Sequence, residues 1–249
     1  MSSTQEQQGK SNTTGLSIIL PTFNEAESIA AVIQSLLALD DHFGIEILVI
    51  DDDSTDGTTD IVRHLARQDQ RIRIIRRLGR SGLASAIKEG LIDAIHHRAV
   101  VMDSDGQHEP ASVLDAVQAL DQRHLDLVAG SRFLDQSEIR GLSSRRTDGS
   151  TLANQLARRS LPASYGHLTD YMSGFMALNL RRCLPLIRDV DVNGFKFLYE
   201  LLAISRGQLA VAEIPLVFQP RLHGSSKLDS AILWDFLVSL LHTASLRLL

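Results

Sequence analysis

Three groups of residues in this 249-residue chain have the types and spacing to do chemistry. The first is the stretch IDDDSTDGT, which holds Asp51, Asp52, Asp53 and Asp56. Carboxylates crowded this closely repel one another and need compensation. Turn formation and helix capping can account for Asp56 and Asp53 but not readily for all four. Asp52, at a strand end, is placed to accept hydrogen bonds from a ribose or a base edge. The second group is Asp103-Ser104-Asp105-Gly106-Gln107. Two carboxylates and an amide oxygen, each two residues apart, can converge on one hard divalent ion, Mg²⁺ or Mn²⁺, that neutralises a diphosphate leaving group. The same residues could instead form a polar turn before a helix beginning near Pro110. The third group is basic: Arg132 in GSRF, Arg145 and Arg146 in SSRRTDGS, and Arg221, His223 and Lys227 in PRLHGSSK. Any one of these alone reads as a solvated surface charge. Arg221 to Lys227 differs, because Gly224, Ser225 and Ser226 make a polar loop flanked by cations that could clamp phosphate.

The elements that must position these groups alternate between strand and helix patterns. Strands are expected at Leu16 to Leu20, Ile45 to Ile50, Arg71 to Ile75, Ala99 to Met102 and Asp126 to Ala129. Asn24, with Glu27 three residues on, has the spacing of a capping box, which predicts a helix running from there to about Leu39. Further helices are expected from Thr58, over Ser81 to Ile95, and from Pro110. This alternation predicts a mostly parallel sheet with helices on both faces, binding ligands at the carboxyl ends of the strands after Leu20, Ile50 and Met102. His108 reads as a neighbour of the acidic loop rather than a ligand, and Cys183 as a small packed hydrophobe.

Composition removes several classes. The net charge of −5 gives no basic footprint for a general nucleic-acid binder. A single cysteine excludes disulfides within the chain and Cys-based zinc sites. There is no GxSxG nucleophile elbow and no GxxxxGK[ST] phosphate loop. Residues 1–15 are polar throughout and predict a solvated tail. Residues 16–228 read as one domain. Residues 229–249 carry Leu233, Leu237, Leu240, Leu241, Ala244 and Leu248 at helical spacing. That amphipathic helix could pack on the core or lie in a bilayer surface, with Trp234 and Arg247 at the interface.

Taken in order, PTFNEAESI, IDDDSTDGT, GLASAIKEGL, MDSDGQHEP, GSRF, DYMSGFMAL, GFKFLYELL and RLHGSSKL resemble the family 2 glycosyltransferases of the GT-A fold. More narrowly, they resemble the dolichyl-phosphate mannosyltransferase (polyprenyl-phosphate glycosyltransferase) group. The resemblance covers about Leu16 to Leu241. It implies that Pro21, Phe23, Glu25, Ile50 and Asp52 hold the base and ribose of a nucleotide sugar. Asp103, Asp105 and Gln107 would form the metal and diphosphate site, with Ser104 nearby. Arg132, Arg145 or Arg146, and Ser150 would receive the phosphate of a lipid acceptor, with Asp170 and Ser173 on the same side. Arg221 and Lys227 would close over the donor phosphates. Lys196 and Glu200 belong to a further family motif. Asp53 departs from the pattern, since many members have Gly there.

The implied reaction is an inverting transfer of a hexose, with mannose from GDP-mannose the first choice, onto a polyprenyl phosphate. An acceptor phosphate is already anionic, so no strong general base is needed, and Asp105, Arg132, Arg145 and Arg146 would act by positioning and charge. The protein would work at the cytoplasmic face of a membrane, as a surface form or as part of a longer chain. Alternatives are a soluble family 2 enzyme with a glycan or small-molecule acceptor, and a non-catalytic nucleotide-sugar binding module. A nucleotidyltransferase would need a Gly-rich start that is missing after Leu20.

Overall fold

The structure is a computed structural model that describes residues 15–39, 43–134, 154–192 and 196–217. Arg145, Arg146, Ser150, Arg221, Lys227 and the expected tail and C-terminal helix lie outside the described residues.

Seven strands form one sheet: β1 (Leu16–Thr22), β2 (Ile45–Asp51), β3 (Ile72–Arg76), β4 (Arg98–Val101), β5 (Leu127–Ser131), β6 (Met176–Asn179) and β7 (Val211–Pro215). Their order is β3-β2-β1-β4-β6-β5-β7. Every pairing is parallel except those of β6, which runs antiparallel to β4 and β5. The helices are α1 (Ile29–Leu37), α2 (Thr58–Gln68), α3 (Leu83–Asp93), α4 (Pro110–Gln122), α5 (154–160), α6 (Leu180–Ile187) and α7 (Phe197–Ile204). No helix among the described residues is long and apolar enough to cross a membrane.

Successive strand residues point to opposite faces and feed two separate cores. Ile18, Leu20, Ile47 and Val49 join α1 and α4 on one side. Ile19, Leu48 and Ile50 join α3, α6 and α7 on the other. Both faces of β1 and β2 are therefore covered, and all their residues are buried. Gly90 shows how closely α3 lies on the sheet. A Cβ at that position would come within 2.3 Å of the Ile19 side chain, and such overpacking costs roughly 1–3 kcal/mol.

Two expectations are corrected. The helix predicted from Asn24 starts at Ile29, with Ser28 as its N-cap. Asn24 has a left-handed backbone, φ 56°, which its short polar side chain tolerates. Its Oδ1 accepts from the Thr55 amide at 2.9 Å, so it staples β1's loop to β2's instead of capping a helix. The second correction adds β6 and β7 to the five expected strands. The stretch SGFMALN gives β6 only four residues, too few for a periodic signal.

Candidate active site

The carboxyl ends of β1, β2 and β4 form one edge of the sheet, and the end of β5 adjoins it through β6. Pro21 lies opposite Ile50 in the β1–β2 register. The β1–β4 register stops at Ile19, so Pro21 falls where that ladder has opened and its missing N–H leaves no gap. Phe23 follows at the rim, 44% exposed.

The aspartate that ends β2 and the three that follow it each have a partner within the fold, so the crowding needs no ligand to offset it. Asp51 is fully buried and takes the hydroxyls of Ser54 and Thr59. Asp53 pairs with Arg76 and sits at φ 60°. Asp56 accepts from the Thr58 hydroxyl at 2.6 Å and from the Ala26 amide at 3.0 Å. Burial works to raise its pKa, but the bonds from Thr58 and Ala26 outweigh it and hold the group below its ordinary value. Asp52 is held by Arg77 through one oxygen and by the Gly82 amide, at 2.7 Å, through the other. The Arg77 side chain is 2% exposed and also reaches Ser85, the Gly82 carbonyl and Glu89. Sequence reasoning found Asp52 and missed Arg77, whose only signal is a second arginine directly after β3.

The loop after β4 is fastened from two sides. The Ser104 hydroxyl donates to the Pro21 carbonyl at 3.0 Å. The Ser28 hydroxyl, at the start of α1, donates to the Ser104 carbonyl at 2.9 Å and also contacts the Glu25 carboxylate. Asp105 is buried, and one of its oxygens accepts the Gln107 amide at 3.0 Å. Asp103 turns outward, its side chain 40% exposed, with His108 Nε2 at 3.3 Å from one oxygen. His108 itself packs on the Phe175 ring, beside the acidic loop. Gly174 lies against Asp103, where a Cβ would come within 3.2 Å of its carboxylate.

Two carboxylates and a carboxamide are hard oxygen donors that suit Mg²⁺ or Mn²⁺. Among the described residues no group of three or more His, Cys, Asp or Glu could hold a metal ion. The protein builds no closed cage here, and the donor set fits an ion that would complete its shell with substrate oxygens and water.

Arg132 follows β5 and is the basic member of the site. Its Nε and Nη2 donate to the two oxygens of Asp170 at 2.7 and 2.9 Å. Asp170 is wholly buried. Burial opposes the guanidinium's charge, but the Asp170 hydrogen bonds and the nearby charges of Asp170 and Asp103 hold its pKa above the ordinary value. Among the described residues the guanidinium's hydrogen bonds are those of Nε and Nη2 to Asp170. Ser173 is buried and hydrogen-bonded to the backbone of Phe175, which makes it a brace for the turn before β6. Cys183 is buried as expected, and burial pushes its thiol up to about 12. A cavity of about 640 Å³ beside α3 contains none of the candidate residues.

This fold and edge are those of a known enzyme class. Residues 17–184 match the model of Glycosyl transferase family 2, and the chain belongs to that family. It is a glycosyltransferase of the GT-A fold. Among curated relatives, it is 33% identical to the dolichol-phosphate mannosyltransferase of Saccharomyces cerevisiae, over 90% of this chain and 85% of that one. It is 31% identical to the dolichol-phosphate mannosyltransferase of Pyrococcus furiosus, over 89% of this chain but only 61% of that protein's length. Among solved structures, glucosyl-3-phosphoglycerate synthase from Mycobacterium tuberculosis, in complex with Mn²⁺, UDP-glucose and phosphoglyceric acid, superposes with a TM-score of 0.70 at 24% identity. That match covers 94% of this chain and 80% of the other.

Proposed function

We propose that the protein transfers a hexose, mannose from GDP-mannose, to a polyprenyl phosphate with inversion, giving a β-linked polyprenyl phosphate sugar. The observation that carries this reading is that Arg132, held by Asp170 through two hydrogen bonds, also feels the charge of Asp103 in the acidic loop, and a guanidinium suits a phosphate. In this reading a donor-side carboxylate and an acceptor-side cation share one edge of the sheet. The names and identities of the dolichol-phosphate mannosyltransferase relatives support the choice of sugar and acceptor.

In this reading Pro21, Phe23, Glu25, Ile50 and Asp52 bind the nucleoside, and Arg221 and Lys227 bind the donor phosphates. Asp103, Asp105 and Gln107 hold Mg²⁺ or Mn²⁺, which supplies positive charge to the departing diphosphate. Arg132, with Arg145 or Arg146 and Ser150, aims the acceptor phosphate at the anomeric carbon. Attack from the face opposite the leaving group inverts that centre, so positioning and charge carry the reaction and no general base is required. The work is done at a cytoplasmic membrane surface.

The test is a transfer assay with radiolabelled GDP-mannose and UDP-glucose, with and without polyprenyl phosphate, in Mn²⁺ or EDTA. Label entering the organic phase from GDP-mannose only with lipid and metal is the expected result. Label in the lipid from UDP-glucose alone would overturn the sugar. Donor turnover without lipid labelling would overturn the acceptor.

A further inference from the structure

The middle of β7 carries a carboxylate that the reaction outlined above does not use. Glu213 lies beside Ala129 in the β5–β7 register. Its oxygens accept the Thr169 amide at 2.9 and 2.8 Å, the Asp170 amide at 2.8 Å and the Thr169 hydroxyl at 3.0 Å. The Thr169 hydroxyl also meets that of Ser131, the last residue of β5, at 2.6 Å. His167 adds a second tie from the same segment, to the Val211 carbonyl of β7 at 3.0 Å. The segment ending at Asp170 is therefore pinned to β7, and Asp170 in turn grips Arg132.

We propose that Glu213 is a positioning residue for acceptor binding: by holding the Thr169–Asp170 backbone it fixes the Asp170 carboxylate, and through it the direction of the Arg132 fork. The proposal rests on the reading of Arg132 as an acceptor-phosphate ligand. Its physical basis is that Glu213 stands where a neutral side chain would be cheaper. Burial works to raise its pKa, and although the Asp170 and Thr169 hydrogen bonds pull the other way, the group stays above its ordinary value, with the Asp170 charge adding to the rise. Two carboxylates so near each other repel, and the donors around Glu213 offset that cost. The return is a guanidinium ordered before the acceptor arrives, which spares the ligand the entropy of fixing a long side chain. Burial of Asp170 makes the arrangement strict, because a wholly enclosed carboxylate has no water to turn to if its backbone shifts.

The experiment compares the full chain with Glu213→Ala and Glu213→Gln. Steady-state transfer to undecaprenyl phosphate in detergent is measured with acceptor and donor varied separately. Glu213→Ala should raise the acceptor KM by about tenfold, the size of one lost charge-assisted hydrogen bond, and leave the donor KM within about twofold. Glu213→Gln should recover much of the loss, since a single carboxamide oxygen can still accept both backbone N–H groups. Equal rises in both KM values, or a Gln variant no better than Ala, would show a merely structural role and overturn the proposal. If the wild type labels no lipid, the functional reading falls by itself. Hydrogen exchange then decides the positioning claim. Faster exchange in Glu213→Ala confined to the peptide spanning Thr169 to Met172, and largely reversed in Glu213→Gln, supports it, and unchanged exchange in Glu213→Ala overturns it.

Discussion

The two sides of the site use the same device with the charges reversed. On the side proposed for the donor a buried cation, Arg77, steadies a more exposed carboxylate, Asp52. On the side proposed for the acceptor a buried carboxylate, Asp170, backed by Glu213, steadies a more exposed cation, Arg132. In each pair the outer residue has the sign suited to its proposed ligand: a carboxylate for the hydroxyls and N–H groups of a nucleoside, a guanidinium for a phosphate. The inner residue supplies rigidity. The sides differ in depth. Arg77 gathers Asp52, Glu89, Ser85 and a carbonyl around one side chain, whereas the acceptor side spreads its load over β5, β7 and the segment between them.

That difference predicts unequal responses. Arg77→Met should be the most damaging change, because it strands Asp52 and Glu89 beside a buried hole and costs about 3–5 kcal/mol of stability. Its melting temperature should fall sharply and its donor KM rise, with part of the stability returned by adding Asp52→Asn. A variant as stable as wild type would refute the central place given to Arg77. Arg132→Lys should fold normally yet transfer roughly 10–100-fold more slowly, since an ammonium cannot span both Asp170 oxygens. Steady-state rates should show the loss in the acceptor terms, and an effect on the donor alone would reverse the assignment of sides.

Gly174→Ala is the milder test of the acidic loop. Its new methyl presses on Asp103, so the Mn²⁺ concentration for half-maximal transfer should rise about threefold to tenfold. An unchanged metal titration would mean that Asp103 can move aside freely. The smallest effect is on pH dependence. The folded pKa of Glu213 is raised from 4.5, so the folded state holds the proton more tightly than the unfolded one. Its contribution to stability is present below pH 4.5 and is lost as pH rises through the raised value. Melting curves from pH 4 to 7 should therefore shift in favour of Glu213→Gln over wild type, and a shift the other way would contradict the burial of that charge.

The outer residues were legible in the sequence and the inner ones were not. Asp52, Asp103, Asp105 and Arg132 follow strands whose apolar runs are plain, so the rule that ligands bind at strand ends reaches them directly. Arg77 and Glu213 act across the fold, on partners 25 and 43 residues away in sequence. No local pattern distinguishes such residues from ordinary surface charges. The capping signal at Asn24 misled because an Asn that could cap a helix can equally adopt a left-handed turn and bond to another loop. The cluster of aspartates looked too crowded for turns and caps alone to account for all four, yet hydroxyls, amides and arginines close at hand satisfy each one separately.

The antiparallel course of β6 has a further consequence. β5 ends where β6 begins, with the Gly130 amide bonded to the Phe175 carbonyl at 3.0 Å. The whole stretch from Arg132 to Phe175 therefore leaves and rejoins the sheet at neighbouring points. Closing such an excursion depends only weakly on its length, about 0.6 kcal/mol for each doubling. A lineage could vary that stretch around the residues that tie it to the core and to Arg132, among them Tyr165, Leu168, Asp170 and Tyr171. It is a natural splice site, where one framework can be refitted for a new acceptor by grafting a single continuous piece of chain.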